Sequence, residues 1–396
     1  MQLPNNIHLS YCTNIHPAET WEETFTALKE HTLVVRNNVV AAQKLDSDTP
    51  FAIGLRLSAK AVSEFTDGAK LDDFIAWLKK ENTYVYTING FPYGAFHGTR
   101  VKEKVYQPDW TTPERLSYTL ELFNIIAELA PADVGGSVST LPGSFKEFDA
   151  DEETIFKNLY ACAVHIELLS EQYEKDLHLG LEPEPLGHFE NTQETIEFFI
   201  RFHQWAENND LEADILSKRI GVNYDTCHFA LEFEDCHESL ARFENAGIRI
   251  SKIHLSNALS IDPLDSEAQK AIRAFDEPTY LHQVLIKKDD GSILRFRDLP
   301  EYFTACEASN YPHDGATEAR IHFHIPLYDD PTAPLGSTRD HAEAAIAYLK
   351  NKPETCPHLE METYTWGVLP NALQIPIEDQ LTKEYLWTLE EVAGNK

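Results

Sequence analysis

The chain has 396 residues, with 33 Lys and Arg against 65 Asp and Glu, a formal net charge of -32. Such a surface repels a polyanion, and no local basic patch offsets it, so nucleic acid is excluded as a partner; a cation or a neutral small-molecule metabolite suits the acidity better. No run approaches the roughly 18 apolar residues of a spanning helix, the start MQLPNNIHLSYCT lacks a basic-then-apolar leader, and six scattered cysteines without a CxxC pair fit reduced thiols, so a cytoplasmic protein without membrane insertion is expected.

Short β-like runs then alternate with amphipathic helical stretches. Strands are expected at Ile7 to Thr13, Phe51 to Leu57 and Thr83 to Ile88. Thr111, Pro113 and Glu114 open a helix whose apolar face carries Leu116, Leu120, Phe123 and Ala127. A fourth strand at Val134 to Thr140 precedes a helix through Phe156, Leu159, Ala163 and Ile166. A fifth runs from Leu179 to Pro185, and Asn191 with Glu194 spells a capping box for the next helix. The sixth and seventh strands are Ile220 to Thr226 and Ile248 to Ser256.

The rhythm breaks after Asn257. YLHQVLIKKDDGSILRFRDL reads as a β-hairpin turning at Asp289, Asp290 and Gly291. A further β-like run spans Ala319 to Tyr328, a helix His341 to Lys350, and the last strand His358 to Thr365. Repeated strand-helix units imply parallel strands with helical crossovers. The expected fold is α/β, a (β/α)8 TIM barrel. It is expected to form a single domain over 1–396, with an insertion at about 257–318, a β-hairpin and helix, after the seventh strand. An open doubly wound sheet is disfavoured because no GxGxxG turn follows the first strand.

Barrel active sites lie at the C-terminal ends of the strands. Those ends carry Glu182 and Glu184, Asp225, His254, and Glu360 and Glu362. A lone acid there is ordinarily a cap or a solvated loop residue. Inward ligand-type residues on four core strands point instead to a shared divalent metal ion (Mn, Mg, Co or Zn), with Glu182, Asp225, His254 and Glu362 as ligands. Parity leaves the choice within each glutamate pair open. Glu182 is favoured as the deeper of its pair, and Glu362 because Thr363 ends the strand. Glu184 and Glu360 then either support the ligands from behind or bind substrate.

His322 and His324 alternate on one side of an extended segment, as a structural pair, a substrate clamp or a second metal position. The loop INGFPYGAFHGTRVKEKVYQPDW offers His97 as a binding residue beside Pro and Gly. Cys227 is read as a core thiol rather than a nucleophile, and no G-x-S-x-G elbow or P-loop is present.

The set Glu182, Asp225-x-x-His228, His254 and Glu362 resembles the xylose-isomerase-like TIM barrel superfamily of sugar phosphate isomerases and epimerases and AP endonucleases. INGFPYGAFHGTRVKEKVYQPDW, LEPEPLGHFE, NYDTCHFAL and LEMETYTWGVLP look like the metabolite traffic protein family of Ebo gene clusters. The superfamily resemblance implies the four metal ligands above, Glu182 and Glu362 as the acid/base pair, and His228 as a substrate contact. The reading is a metal-dependent isomerase or epimerase acting on a small polyhydroxy or hydroxycarbonyl metabolite, with pathway partners and an oligomer both compatible. A non-catalytic metabolite-binding protein is the alternative, and a small-molecule phosphoesterase, for which Arg295, Arg297 and Arg339 are the phosphate-binding candidates, a third.

Overall fold

In the computed structural model, seven strands alternate with helices before the rhythm breaks: β1 (His8–Tyr11), β2 (Phe51–Arg56), β3 (Thr83–Asn89), β4 (Gly136–Thr140), β5 (Leu177–Leu181), β6 (Ile220–Asp225) and β7 (Ile250–Leu255). Residues 1–65, 68–308, 315–329, 331–371 and 373–394 are described; positions 309–314, inside the expected insertion, lie outside them. After β7 come β8 (Leu259–Ile261), β9 (Val284–Lys288), β10 (Ile293–Phe296), β11 (Ala316–Ile321) and β12 (Leu335–Ser337), and then β13 (His358–Met361).

β1 to β7 and β13 form one parallel sheet in the order β1-β13-β7-β6-β5-β4-β3-β2. The Cys12–Gly54 bridge joins its two edges, so the eight strands close into a (β/α)8 barrel. Gly54 is required at that seam. A Cβ there would lie 1.8 Å from Glu360 Oε1 and 2.7 Å from the Tyr11 carbonyl.

The helices begin where the sequence signals them. Thr112 caps the helix Pro113–Leu129, whose first residue is the proline. Asn191 caps the helix Thr192–Asn208 by accepting from Glu194 N at 3.0 Å. The reciprocal half of the expected capping box is not formed, because Glu194 accepts instead from Glu190 N at 3.0 Å and pairs with Lys146 at 2.9 Å.

The segment after β7 is larger than a hairpin and helix. The hairpin β9–β10 forms as expected, and Leu299–Glu307 is helical. The hairpin belongs to an antiparallel sheet of five strands, ordered β10-β9-β11-β8-β12, which runs past residue 318 to Ser337, and the helix packs on it. It has its own core, in which Leu259, Ile286, Phe303 and Phe323 pack together. The loop after β3 is tied to it: Val101 N and Lys102 N both donate to Thr279 O at 2.8 Å. Lys102 Nζ reaches Tyr280 O at 3.1 Å and pairs with Asp298.

Candidate metal centre

The residues at the C-terminal mouth of the barrel come from four neighbouring strands. β5 ends at Leu181, earlier than its apolar run suggested, so Glu182 is the first residue of the following loop rather than a residue deep in the strand. Glu362 likewise directly follows β13. Asp225 closes β6, and His254 lies one residue before the end of β7. All four are buried, and each offers a ligand atom within 4.8 Å of the others.

His254 organises the cluster. Its Nε2–H donates to Glu360 Oε2 at 2.9 Å, which aims Nδ1 at Glu182 Oε1 (3.2 Å), Glu362 Oε2 (3.2 Å) and Asp225 Oδ2 (3.6 Å). A carboxylate behind a ligating histidine is a common way to fix its tautomer. Burial opposes a charge on His254, yet the Glu362 and Glu182 carboxylates hold its pKa well above the usual value. Glu360 is anchored by Lys252 at 2.6 Å. Burial pushes its carboxyl up, but Lys252 and His254 outweigh that and bring it down to about 2. Lys252, which sequence reasoning missed, shares strand parity with His254, a signal that could have placed it inside the barrel.

Asp225 does two things at once. Its Oδ1 caps the short helix Thr226–Leu231, accepting from Cys227 N (2.8 Å), His228 N (3.1 Å) and Ser256 Oγ (2.5 Å). Its Oδ2 has no hydrogen-bond partner. The cap and the ligand reading of this residue are therefore compatible, one oxygen each. Burial works against its ionised form, but His228, His254 and His324 hold the carboxyl well below its usual range.

Glu362 Oε1 accepts from the side-chain amides of Asn14 and Asn89, both at 2.8 Å. Burial works against its ionised form, and His254 and His324 pull its pKa below the usual value. Glu182 Oε2 is buried without a partner. Glu184 behaves oppositely to the ionised acids. Burial, with added repulsion from Glu182, Asp225 and Glu362, raises its pKa well above the carboxylate range.

These groups open onto a cavity at the barrel mouth. Its polar lining includes Glu182, Glu184, His228, His322 and Glu362, and its aromatic lining Phe96, Tyr280 and Tyr364. Phe96, Tyr280 and Tyr364 pack as a trio with ring centroids 5.1–5.2 Å apart.

His228, His322 and His324 come together: His228 and His322 have Nε2 atoms 3.1 Å apart, and His322 and His324 3.2 Å. His322 and His324 directly follow β11, so the insertion delivers them to the barrel mouth. Burial and the neighbouring imidazoles hold the His322 pKa well below its usual value. His97 does not line the cavity. Its Nε2 meets Asn14 O at 2.5 Å and its Nδ1 the Tyr280 hydroxyl at 2.9 Å, so it stands behind Asn14 and pins the β3 loop to the insertion. Burial lowers its pKa to about 4. The Cys227 thiol is buried and raised by burial and by Asp225, which suits an inert side chain rather than a nucleophile.

No protein-family model matches the chain, and no curated protein matches it. Among solved structures it is similar to IolI protein with a bound zinc atom, at 12% identity and TM-score 0.48, over 98% of this chain and 99% of that one. It is also similar to D-psicose 3-epimerase solved with D-fructose, at 10% identity and TM-score 0.48, over 98% and 100%. A third is a xylose isomerase domain protein from Planctomyces limnophilus, at 13% identity and TM-score 0.45, over 90% and 91%. The chain's own strand order establishes the barrel, and its own side chains the cluster at the barrel mouth.

Proposed function

We propose that the protein is a divalent-metal-dependent isomerase or epimerase acting on a small, neutral polyhydroxy or hydroxycarbonyl metabolite. One observation carries the reading: ligand atoms of Glu182, Asp225, His254 and Glu362 converge within 4.8 Å at the barrel mouth, beside the cavity. The donor set fits a cation. Asp225 Oδ2 is buried without a hydrogen-bond partner, and a bare carboxylate oxygen in the interior is costly unless it meets a positive charge. Three carboxylates and one imidazole suit Mn, Mg, Co or Zn.

A cation held there would lower the cost of negative charge developing on a substrate oxygen. The remaining chemistry falls to the chain. Glu182, with Oε2 unpartnered, is placed to take a proton from the carbon beside a carbonyl. Glu362 is the partner acid/base. Asn14 and Asn89 donate to its Oε1, both at 2.8 Å, and hold the carboxylate in place.

A neutral substrate is favoured over a phosphorylated one. Lys102 lines the cavity but is engaged by Asp298 and Tyr280 O. Arg295 pairs with Glu190 and Glu232, Arg297 with Glu103 and Glu147, and Arg339 with Glu343 and Asp329 O; none of the three lines the cavity. This counts against the phosphoesterase reading. A place in a pathway that moves a natural-product precursor is supported by the sequence resemblance.

The test is proton exchange. Wild type, loaded with Mn²⁺ and incubated in D₂O with a panel of ketoses and hydroxyketones, is expected to put deuterium on the carbon next to the carbonyl. Glu182→Gln should keep its circular dichroism spectrum and lose about 10²–10⁴-fold in rate. A wild type that binds one of these compounds without exchange would favour the non-catalytic binding protein.

A further inference from the structure

We infer that the substrate is amphipathic: a hydroxycarbonyl head meets the carboxylate set, and an apolar tail of several carbons, in place of further hydroxyls, lies against the wall built by the β3 loop and the insertion. The inference rests on the isomerase reading for the head and narrows the substrate class of that site.

The wall is apolar by composition. The loop after β3 turns Phe91, Phe96, Val101 and Val105 to the cavity, and the insertion adds Leu281. None of these side chains carries a hydrogen-bonding atom. Phe96, Val101 and Tyr280 form a buried apolar cluster of their own, with Val105 and Tyr364 packed against it. That cluster is separate from the barrel core and from the core of the insertion.

Lys102, Tyr280 and Gln283, which the same two segments bring to the cavity, are already bonded. Lys102 is held by Asp298 and by Tyr280 O. The Tyr280 hydroxyl donates to Phe96 O at 3.0 Å and lies 2.9 Å from His97 Nδ1. Gln283 Oε1 meets His322 Nδ1 at 2.7 Å, and the Gln283 amide nitrogen donates to Pro185 O at 3.0 Å. The lining oxygens buried without a partner belong instead to Asn14, Tyr106, Glu182 and Glu184. Asn14 is bonded to Glu362, and Tyr106 faces Glu184. The free hydrogen-bonding capacity therefore gathers beside the carboxylate set.

This division sorts substrates. A hydroxyl pressed against the wall gives up water without gaining a partner, which is costly. A methylene in the same place gains by leaving water. A polyol, with a hydroxyl on every carbon, suits only the carboxylate end; a hydroxyketone with a hydrocarbon tail suits both.

The test is calorimetric binding to Mn²⁺-loaded protein. The probes are hydroxyacetone, its four-carbon and six-carbon straight-chain homologues, and the four-carbon polyol erythrulose. Affinity is expected to rise about fourfold per added methylene, with erythrulose weaker than the four-carbon homologue. A Val101→Thr/Val105→Thr variant, close in shape to wild type, should flatten the rise and leave hydroxyacetone unchanged. A flat series in wild type, or erythrulose as the tightest ligand, overturns the inference and leaves the isomerase reading standing. A rise that removal of Mn²⁺ leaves untouched supports the apolar wall and counts against the isomerase reading. No binding by any probe overturns the inference. Should the variant not fold, the wild-type series decides alone.

Discussion

Glu384 is buried on the C-terminal helix Ile377–Ala393, accepting from Thr363 Oγ1 at 2.6 Å and Leu327 N at 3.2 Å. Burial raises its pKa to about 7. The folded state thus holds the proton more tightly than the unfolded chain. The neutral acid is tolerated fully below about pH 4.5, and stability falls as pH rises from there to about 7. The charge then costs about 3 kcal/mol. Glu384→Gln, isosteric with the neutral acid, should raise the urea midpoint at pH 8 and leave it nearly unchanged at pH 4.5. Equal effects at both values would contradict this. Lys252 and Glu360 form a pair buried to 1% and 0% exposure. Lys252→Met strands the carboxylate and should cost about 3–5 kcal/mol in urea denaturation. Glu360→Gln removes the carboxylate behind His254 and should weaken metal binding about 10–100-fold by calorimetry; unchanged affinity would show that Glu360 does not orient the ligand.

At the scale of elements, Gly54 lets β1 approach β2 and leaves room for Glu360 inside the barrel. Gly54→Ala should destabilise by about 1–3 kcal/mol, read as a lowered urea midpoint; an unchanged midpoint would mean the seam has slack. The strands were legible because parallel strands buried on both faces read as dense apolar runs between helical periods. Their ends were less so: Leu179 to Pro185 looked continuous, yet pairing stops at Leu181 and the two glutamates enter the loop. The five-stranded sheet was not legible beyond its hairpin. β8 and β12 have three residues each and pair with each other across more than seventy residues of chain, which no local period records. Asn14, which holds Glu362, sits in an irregular turn after β1, where a polar residue reads as solvated loop.

Across the whole molecule, the insertion and the barrel build the site together. The barrel supplies Glu182, Asp225, His254 and Glu362; the insertion supplies His322, His324 and Tyr280. The ligand types at the strand ends could be read from the sequence because barrels place function there. The meeting of His228 with His322 could not, since it depends on how the insertion folds back over the mouth. Among the described residues no helix is long and apolar enough to cross a membrane, and the net charge of -32 fits the cation and neutral metabolite of the proposed function. The central claim is that the barrel mouth binds a divalent ion. The most direct measurement is elemental analysis of purified tag-free protein beside an Asp225→Ala/His254→Ala variant. At least one equivalent of a divalent metal in wild type and none in the variant is the predicted result. A wild type that holds no metal even after reconstitution would contradict it.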